Sequence, residues 1–356
     1  MTSGGTKRDR PSGRRTGIRD VAQATGLSIT TVSHALSGKG QIAAATRDRV
    51  LRAAEELGYR PDPVARGLVS GRTGILGLAV GHMTGKPWEG TYRPYYAAFS
   101  AGASMAAVER DYALVVVPGD PVSGLWARVP MDGLIVVDPV RDDPLLADCA
   151  RRGLPVVTDG RPIDPGYEHV PTVESDLERG MADVLDHLRD AGARRVGLLS
   201  GSEPDAYTED SERLYREWCA GAGQEPLIDA PAASEEPIEA ALRLLSHPDR
   251  PDAVHGLNET YGQALLAAAR RLELTIPDDL LVSVMRETDQ SGTAEDWSLP
   301  LTTLSLDARR LGTEAVSLLI DVLDGRPRRE VTVPCAVVPR ASTRRDAGGS
   351  SAGSRA

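Results

Sequence analysis

The chain has 356 residues, with 41 Lys and Arg against 51 Asp and Glu and a formal net charge of -10. That length exceeds one ordinary core, so we expect a small module beside a larger body of one or two lobes. No apolar run approaches the roughly 20 residues that cross a bilayer, and no secretion signal follows the basic start. We therefore expect a cytoplasmic protein, with Cys149, Cys219 and Cys335 as buried thiols.

The charge is divided unevenly along the chain. Residues 1–72 hold 13 Lys and Arg against 6 Asp and Glu, a net charge of +7, whereas the remainder holds 28 against 45, a net charge of -17. The acidic chain as a whole argues against nucleic-acid binding. A basic head on an acidic body instead indicates a head that contacts phosphate and a body that does not.

The N-terminal part predicts a three-helix module. Residues 1–15 and 344–356 are rich in Gly, Ser and charge and predict disordered tails. Apolar residues at helical spacing predict helices over 18–25, 28–36 and 46–57. Gly26 supplies the turn after the first helix, Ser28 and Thr46 cap the next two, and Gly58 ends the third.

From Gly74 onward, strand-like runs alternate with amphipathic helices. The strand-like runs cover 75–80, 112–117, 133–137, 154–159, 194–201, 252–258 and 280–284, and the helices cover 95–110, 176–191, 209–220 and 261–272. This rhythm predicts two doubly wound parallel sheets of four or five strands each, separated near Pro171. A cleft between two lobes follows, with a ligand site outside the carboxyl ends of the strands.

The second helix has the features of one that enters the major groove of DNA. Its N-terminal face, residues 28–31, presents small polar and apolar groups, whereas Val32, Ala35 and Leu36 face inward.

Several motifs resemble the lactose-repressor family of bacterial transcription regulators. They are IRDVA at 18–22, TGLSITTVSHALSG at 25–38, TRDRVLRAAEELGYRP at 46–61 and ARGL at 65–68. The resemblance implies an all-α helix-turn-helix headpiece at 16–60, a hinge at 61–72 and a two-lobed α/β domain at 73–343 that is like the periplasmic binding proteins. It also implies a homodimer on a pseudo-palindromic operator, with repression as the default direction.

The resemblance assigns DNA contacts within the headpiece. Base contacts fall to Ile29, Thr30 and His34, and phosphate contacts to Ser28, Thr31 and Ser33. His34 stands where the family most often has arginine, so the preferred operator base should differ, an effect of about 1 to 3 kcal/mol. The alternative interpretation makes His34 a surface residue without a base contact.

The hinge is too short to hold a helix alone. In the family it becomes helical on DNA, pairs with its twin and inserts a leucine into the minor groove. Leu68 matches that leucine and Ala65 the close-packing position, whereas Asp62 stands where asparagine is common. The alternative is a passive linker.

The resemblance extends loosely over the body and implies a small-molecule effector site. Tyr95 and Tyr96 match aromatic residues that help to wall the cleft, although plain packing would also explain them. Arg213 matches an arginine that grips ligand hydroxyls or carboxylate, and Asn258 is a second polar contact.

Arg286 and Glu287 stand where the family usually has two acidic residues. A cation in place of a sugar-binding carboxylate predicts an effector that is anionic or not a simple sugar. The alternative is a degenerate pocket that signals by another route.

An enzyme on a doubly wound sheet would need chemistry that the sequence lacks. There is no GxSxG elbow, no phosphate loop with lysine and no metal-spaced His/Cys cluster. We therefore predict no catalytic residues, no metal and no cofactor. A solute-capture protein is disfavoured by the fused headpiece.

Overall fold

The computed structural model describes residues 16–37, 41–59, 72–80, 93–117, 119, 128–202, 204–232, 234–287, 299–327 and 329–345. The described residues form two compact units that meet in sequence between Thr73 and Gly74. The predicted tail at 1–15, residues 346–356 of the predicted tail at 344–356 and most of the predicted hinge lie outside the described residues. Arg344 and Arg345 are described, and Arg345 donates to the carbonyl oxygens of Pro277 and Gly192.

The first unit contains three helices around a small core. They are α1 (Ile18–Thr25), α2 (Ile29–Ser37) and α3 (Ala44–Glu56). Val21, Val32 and Val50 are fully buried and supply one contact residue from each helix. These valines therefore fix the three helices as one module.

The predicted helix ends hold in all but one case. Gly26 adopts a left-handed conformation after α1, the Ser28 hydroxyl accepts from the Thr31 amide at the start of α2, and Gly58 has a positive φ after α3. Thr46 does not cap α3, because that helix begins two residues earlier, after Ala43.

The second unit contains two six-stranded sheets with flanking helices. The strands are β1 (Ile75–Val80), β2 (Ala113–Val116), β3 (Gly133–Val137), β4 (Val156–Asp159), β5 (Thr172–Ser175), β6 (Val196–Leu199), β7 (Ile228–Asp229), β8 (Ala253–Gly256), β9 (Leu281–Met285), β10 (Thr302–Ser305), β11 (Val331–Val333) and β12 (Ala336–Val338). The helices are α4 (Arg93–Val108), α5 (Pro144–Arg152), α6 (Leu177–Asp190), α7 (Ala206–Ala222), α8 (Pro237–Leu245), α9 (Glu259–Arg271) and α10 (Ala308–Leu323).

Each sheet defines one lobe. The strand orders are β11-β5-β4-β3-β1-β2 and β12-β10-β9-β8-β6-β7. Every neighbouring pair is parallel except β10 and β12. The two parallel sheets confirm the predicted architecture, but each has six strands rather than four or five, because short strands such as β7 and β11 lack a long apolar run.

The chain passes from one lobe to the other three times. The passages follow β5, β10 and β11, so the predicted boundary near Pro171 is wrong: β5 at Thr172–Ser175 still pairs with β4. After the second passage, α10 packs on α4 and on strands of the first sheet. The first lobe is therefore completed by residues from near the end of the described chain.

Helices α4 and α10 touch through their backbones. A Cβ atom on Gly312 would overlap the carbonyl oxygen of Phe99, and one on Gly102 would overlap the carbonyl oxygen of Arg309. Glycine permits this approach because it has no side chain. These two positions set the spacing between the helices.

Acceptor side chains start most helices of the body. The residues that accept a backbone hydrogen bond at a helix start are Asp143, Asp176, Asp205, Asn258 and Asp307. Such caps satisfy amides that have no partner within the helix. They place the starts of α7 and α9 at Ala206 and Glu259, two or three residues before the predicted positions.

Candidate functional site

The exposed face of α2 is the candidate DNA-binding surface. Ile29 is 45% exposed. Thr30 and His34 are exposed as well, whereas Val32 and Ala35 are buried on the opposite face. The structure therefore brings Ile29, Thr30 and His34, the predicted base-reading residues, to one surface.

The three predicted phosphate contacts differ in their surroundings. Ser28 is exposed, while Thr31 and Ser33 are half-buried. The hydroxyl oxygens of Ser28 and Thr31 are 2.8 Å apart and form a hydrogen bond. Both hydroxyls are thus held at the helix start. Ala65 and Leu68 of the predicted hinge lie outside the described residues.

A cavity of about 380 Å³ lies between the two lobes of the second unit. Its walls come from the carboxyl ends of strands in both sheets and from the first turns of α7. Residues that line it include Tyr95, Asp138, Asp159, Arg161, Glu174, Asp176, Glu178, Tyr207, Asp210, Arg213, Met285 and Leu306. This is where parallel sheets place ligands, and the volume suits a small molecule.

The two predicted aromatic residues are anchored to carboxylates. Tyr95 is buried and donates its hydroxyl to Asp159 Oδ2 at 2.7 Å. Tyr96 donates to Asp138 Oδ2 at 2.9 Å, and its ring meets that of Tyr95 edge to face. Of the two, only Tyr95 lines the cavity.

The predicted Arg213 lines the cavity from α7, where its charge is already paired. Its guanidinium donates to Glu217 at 3.0 Å and to Asp210 at 3.3 Å. Asp210 also accepts two hydrogen bonds from Arg161, at 3.0 and 3.2 Å. Arg161 follows β4 and Asp210 lies on α7, so this ion pair joins the two lobes across the cavity.

The predicted Asn258 and Arg286 lie beside the cavity rather than in its wall. Both line a smaller neighbouring pocket together with Glu259 and Glu287. Asn258 is buried and caps α9, and Arg286 forms an ion pair with Glu259 at 2.7 Å. The charge of Arg286 that suggested an anionic effector is therefore already paired with Glu259, and an effector that is anionic or not a simple sugar stays a prediction.

Sequence reasoning missed the carboxylates of the cavity. Asp138 and Asp159 end or directly follow the apolar strands β3 and β4, a position from which an acidic side chain points to the ligand edge of a parallel sheet. That pattern was visible in the sequence. Glu174 was harder to find, because the short strand β5 has no clear apolar run.

None of the helices in the described ranges is both long and apolar enough to span a bilayer. In the same ranges, no three His, Cys, Asp or Glu side chains come together in a way that could hold a metal ion.

A basic head with an exposed helix face, followed by a two-lobed body with a cavity, is the arrangement of a DNA-binding regulator. Residues 17–62 match the family described as bacterial regulatory proteins, lacI family, and residues 185–343 match a periplasmic binding protein-like domain. The transcriptional regulator CelR of Thermobifida fusca is 32% identical over 337 residues, which cover 91% of this chain and 96% of CelR. The repressor PurR of Photobacterium profundum is 30% identical over 328 residues, 88% of this chain and 94% of PurR.

Solved structures show the same fold. A complex of CelR with cellobiose has a TM-score of 0.67 at 27% identity and covers 92% of this chain and 100% of that one. A lac repressor dimer bound to operator and the anti-inducer ONPF has a TM-score of 0.72 at 21% identity, over 93% and 99%. The chain belongs to the lactose-repressor (LacI) family. It is a transcription regulator with a helix-turn-helix DNA-binding domain, and not an enzyme.

Proposed function

We propose that this protein is a cytoplasmic repressor that binds a pseudo-palindromic operator as a homodimer and responds to a small molecule in the interlobe cavity. The observation that carries the proposal is the exposed face of α2, where Ile29, Thr30 and His34 present side chains that no core requires. The limits of the headpiece at 16–60, the hinge at 61–72 and the sensing domain at 73–343 belong to the same proposal.

The DNA contacts divide by chemistry. Ile29, Thr30 and His34 read base edges, while Ser28, Thr31 and Ser33 contact phosphate and set the register. Ala65 and Leu68 act in the hinge, with Leu68 entering the minor groove of the bound operator.

In this proposal the interlobe cavity binds the small molecule that changes the affinity for DNA. A ligand there contacts both lobes, including Tyr95 from the first and Arg213 from the second. It shifts the balance between lobe arrangements by the difference in its affinity for them, and DNA affinity changes with that balance. Asn258 and Arg286 support this site from the neighbouring pocket.

Operator binding tests the proposal. Fluorescence anisotropy with the protein's own upstream DNA should show tight binding that weakens as salt rises, because bound phosphates release counterions. Thr30→Ala and Leu68→Ala should each weaken binding by roughly tenfold, equivalent to about 1.4 kcal/mol. The control is Gln23→Ala, which changes an exposed uncharged residue on α1. Equal binding to a scrambled duplex would contradict sequence-specific recognition.

Exposed apolar residues on the first lobe suit the proposed dimer. Met105 and Val108 on α4 are 59% and 69% exposed, and Val116 on the edge strand β2 is 59% exposed. Val108→Glu would place a charge in that surface and should shift the protein from dimer to monomer in light scattering. Ala220→Glu adds the same charge at an exposed position of α7 and should leave the dimer intact. Unchanged assembly of the Val108 variant would place the interface elsewhere.

A further inference from the structure

The interlobe cavity has an excess of negative charge. Six carboxylates line it, and two arginines oppose them: Asp138, Asp159, Glu174, Asp176, Glu178 and Asp210 against Arg161 and Arg213. Both arginines are bound to Asp210, and Arg213 is bound to Glu217 as well. Both guanidinium groups are therefore already engaged, and the two positive charges are fewer than the six negative charges.

Asp159 has a free acceptor that faces the cavity. Its side chain is only 3% exposed, and its Oδ2 accepts the hydroxyl of Tyr95. Within the described ranges its other oxygen, Oδ1, accepts no hydrogen bond. A carboxylate on a side chain this deeply buried is costly to leave short of donors, so a donor on the ligand would complete this group.

Glu174 likewise lacks a hydrogen-bond donor among the described side chains. It lines the cavity from β5, and no side chain in the described ranges donates a hydrogen bond to it. Burial raises the pKa of Glu174, against the attraction of Arg161. Burial also raises the pKa of Asp159 well above its ordinary value, and the neighbouring Asp138 adds to that rise. In both groups the cost of burying a negative charge outweighs the nearby interactions that favour it.

We propose that the effector carries a protonated nitrogen that binds between Asp159 and Glu174, and that it is an amino sugar. This deepens the proposed function, on which it rests. Hydroxyl groups of the sugar suit the remaining carboxylates and Tyr207, and the ammonium group supplies the missing charge. An organic cation is favoured over a metal ion, because the described side chains form no cluster that could hold one.

Matched pairs of ligands test the inference by calorimetry on the full-length protein. Each amine is compared with its hydroxyl and N-acetyl counterparts. D-glucosamine is compared with D-glucose and N-acetyl-D-glucosamine, D-galactosamine with D-galactose and N-acetyl-D-galactosamine, and the chitosan disaccharide with cellobiose and N,N′-diacetylchitobiose. Putrescine serves as an amine without a sugar ring. At least one amino sugar should bind about tenfold or more tightly than its neutral counterparts.

Two variants separate the cavity charge from a general effect of charge. Glu174→Gln should reduce the preference for the amino sugar by about tenfold and leave binding of the neutral counterparts unchanged. Glu330→Gln removes the same charge at a nearby exposed residue outside the cavity wall and should preserve the preference.

Equal or tighter binding of the neutral sugars would overturn the inference, as would the absence of binding by every amino sugar. Tighter binding of putrescine than of every amino sugar would also overturn it. None of these results would affect the proposed repressor function, which is judged separately by operator binding without ligand.

Discussion

Gly312→Ala should lower the free energy of unfolding of the second unit by about 3 kcal/mol or more. The added methyl group would overlap the carbonyl oxygen of Phe99 on α4. That oxygen belongs to the backbone, so it cannot move aside as the end of a flexible side chain can. Helices α4 and α10 would have to separate along their contact. Denaturant unfolding followed by circular dichroism measures the loss.

Gly221→Ala is the matched control for that substitution. Gly221 lies in α7, and a Cβ atom there would meet nothing within 4 Å. Alanine favours helix over glycine by roughly 1 kcal/mol, so this variant should be as stable as the parent or more so. If Gly312→Ala were equally harmless, the backbone contact between α4 and α10 would not exist in solution.

Acid should destabilise the protein through His255. This side chain is fully buried in the second sheet, its Nδ1 is 2.9 Å from Ser283 Oγ, and burial lowers its pKa to about 3. The unfolded chain takes up a proton below about pH 6.5, whereas the folded protein does not. The contribution of His255 to the free energy of unfolding is therefore fully present above that pH. It falls by about 1.4 kcal/mol per pH unit as the pH drops toward 3.

A comparison of variants isolates this contribution. Between pH 7 and pH 5 the parent should lose about 2 kcal/mol more than a His255→Leu, Ser283→Ala variant, which removes the imidazole and its partner together. His247→Asn, at an exposed position, should follow the parent. The same pH dependence in the double variant would show that His255 is accessible to protons in the folded protein.

The sequence predicted the parts of the fold whose patterns are local. The three headpiece helices, strands such as β3 and β9, and the α/β alternation follow from periodicity over a few residues. Strand membership does not, because it depends on pairing between distant segments. β11 joins the first sheet by pairing with β5, which lies more than 150 residues earlier. The sheet boundary near Pro171 was misplaced for the same reason.

The candidate site could be predicted from the sequence to about the same extent as the fold. The positions of Tyr95 and Arg213 in the cavity wall follow from motifs, and the face of α2 follows from helical spacing. The charge of the cavity did not follow, because a side chain's effective charge depends on its partner. Arg286 read alone predicts an anion site, but Glu259 neutralises it from the start of α9. Such a pair is visible only once β9 and α9 are placed side by side.

The three passages between the lobes bear on the order of events during synthesis. Helix α10 and strand β11 are made near the end of synthesis but belong to the first lobe, where they pack on α4 and pair with β5. On the ribosome the first lobe therefore exposes the α4 surface and an unpaired edge of β5 until almost the entire chain has emerged. Domains made early usually fold as units during translation, whereas here both lobes must finish together. Release from the ribosome, rather than emergence of the first sheet, sets the earliest moment at which the interlobe cavity exists.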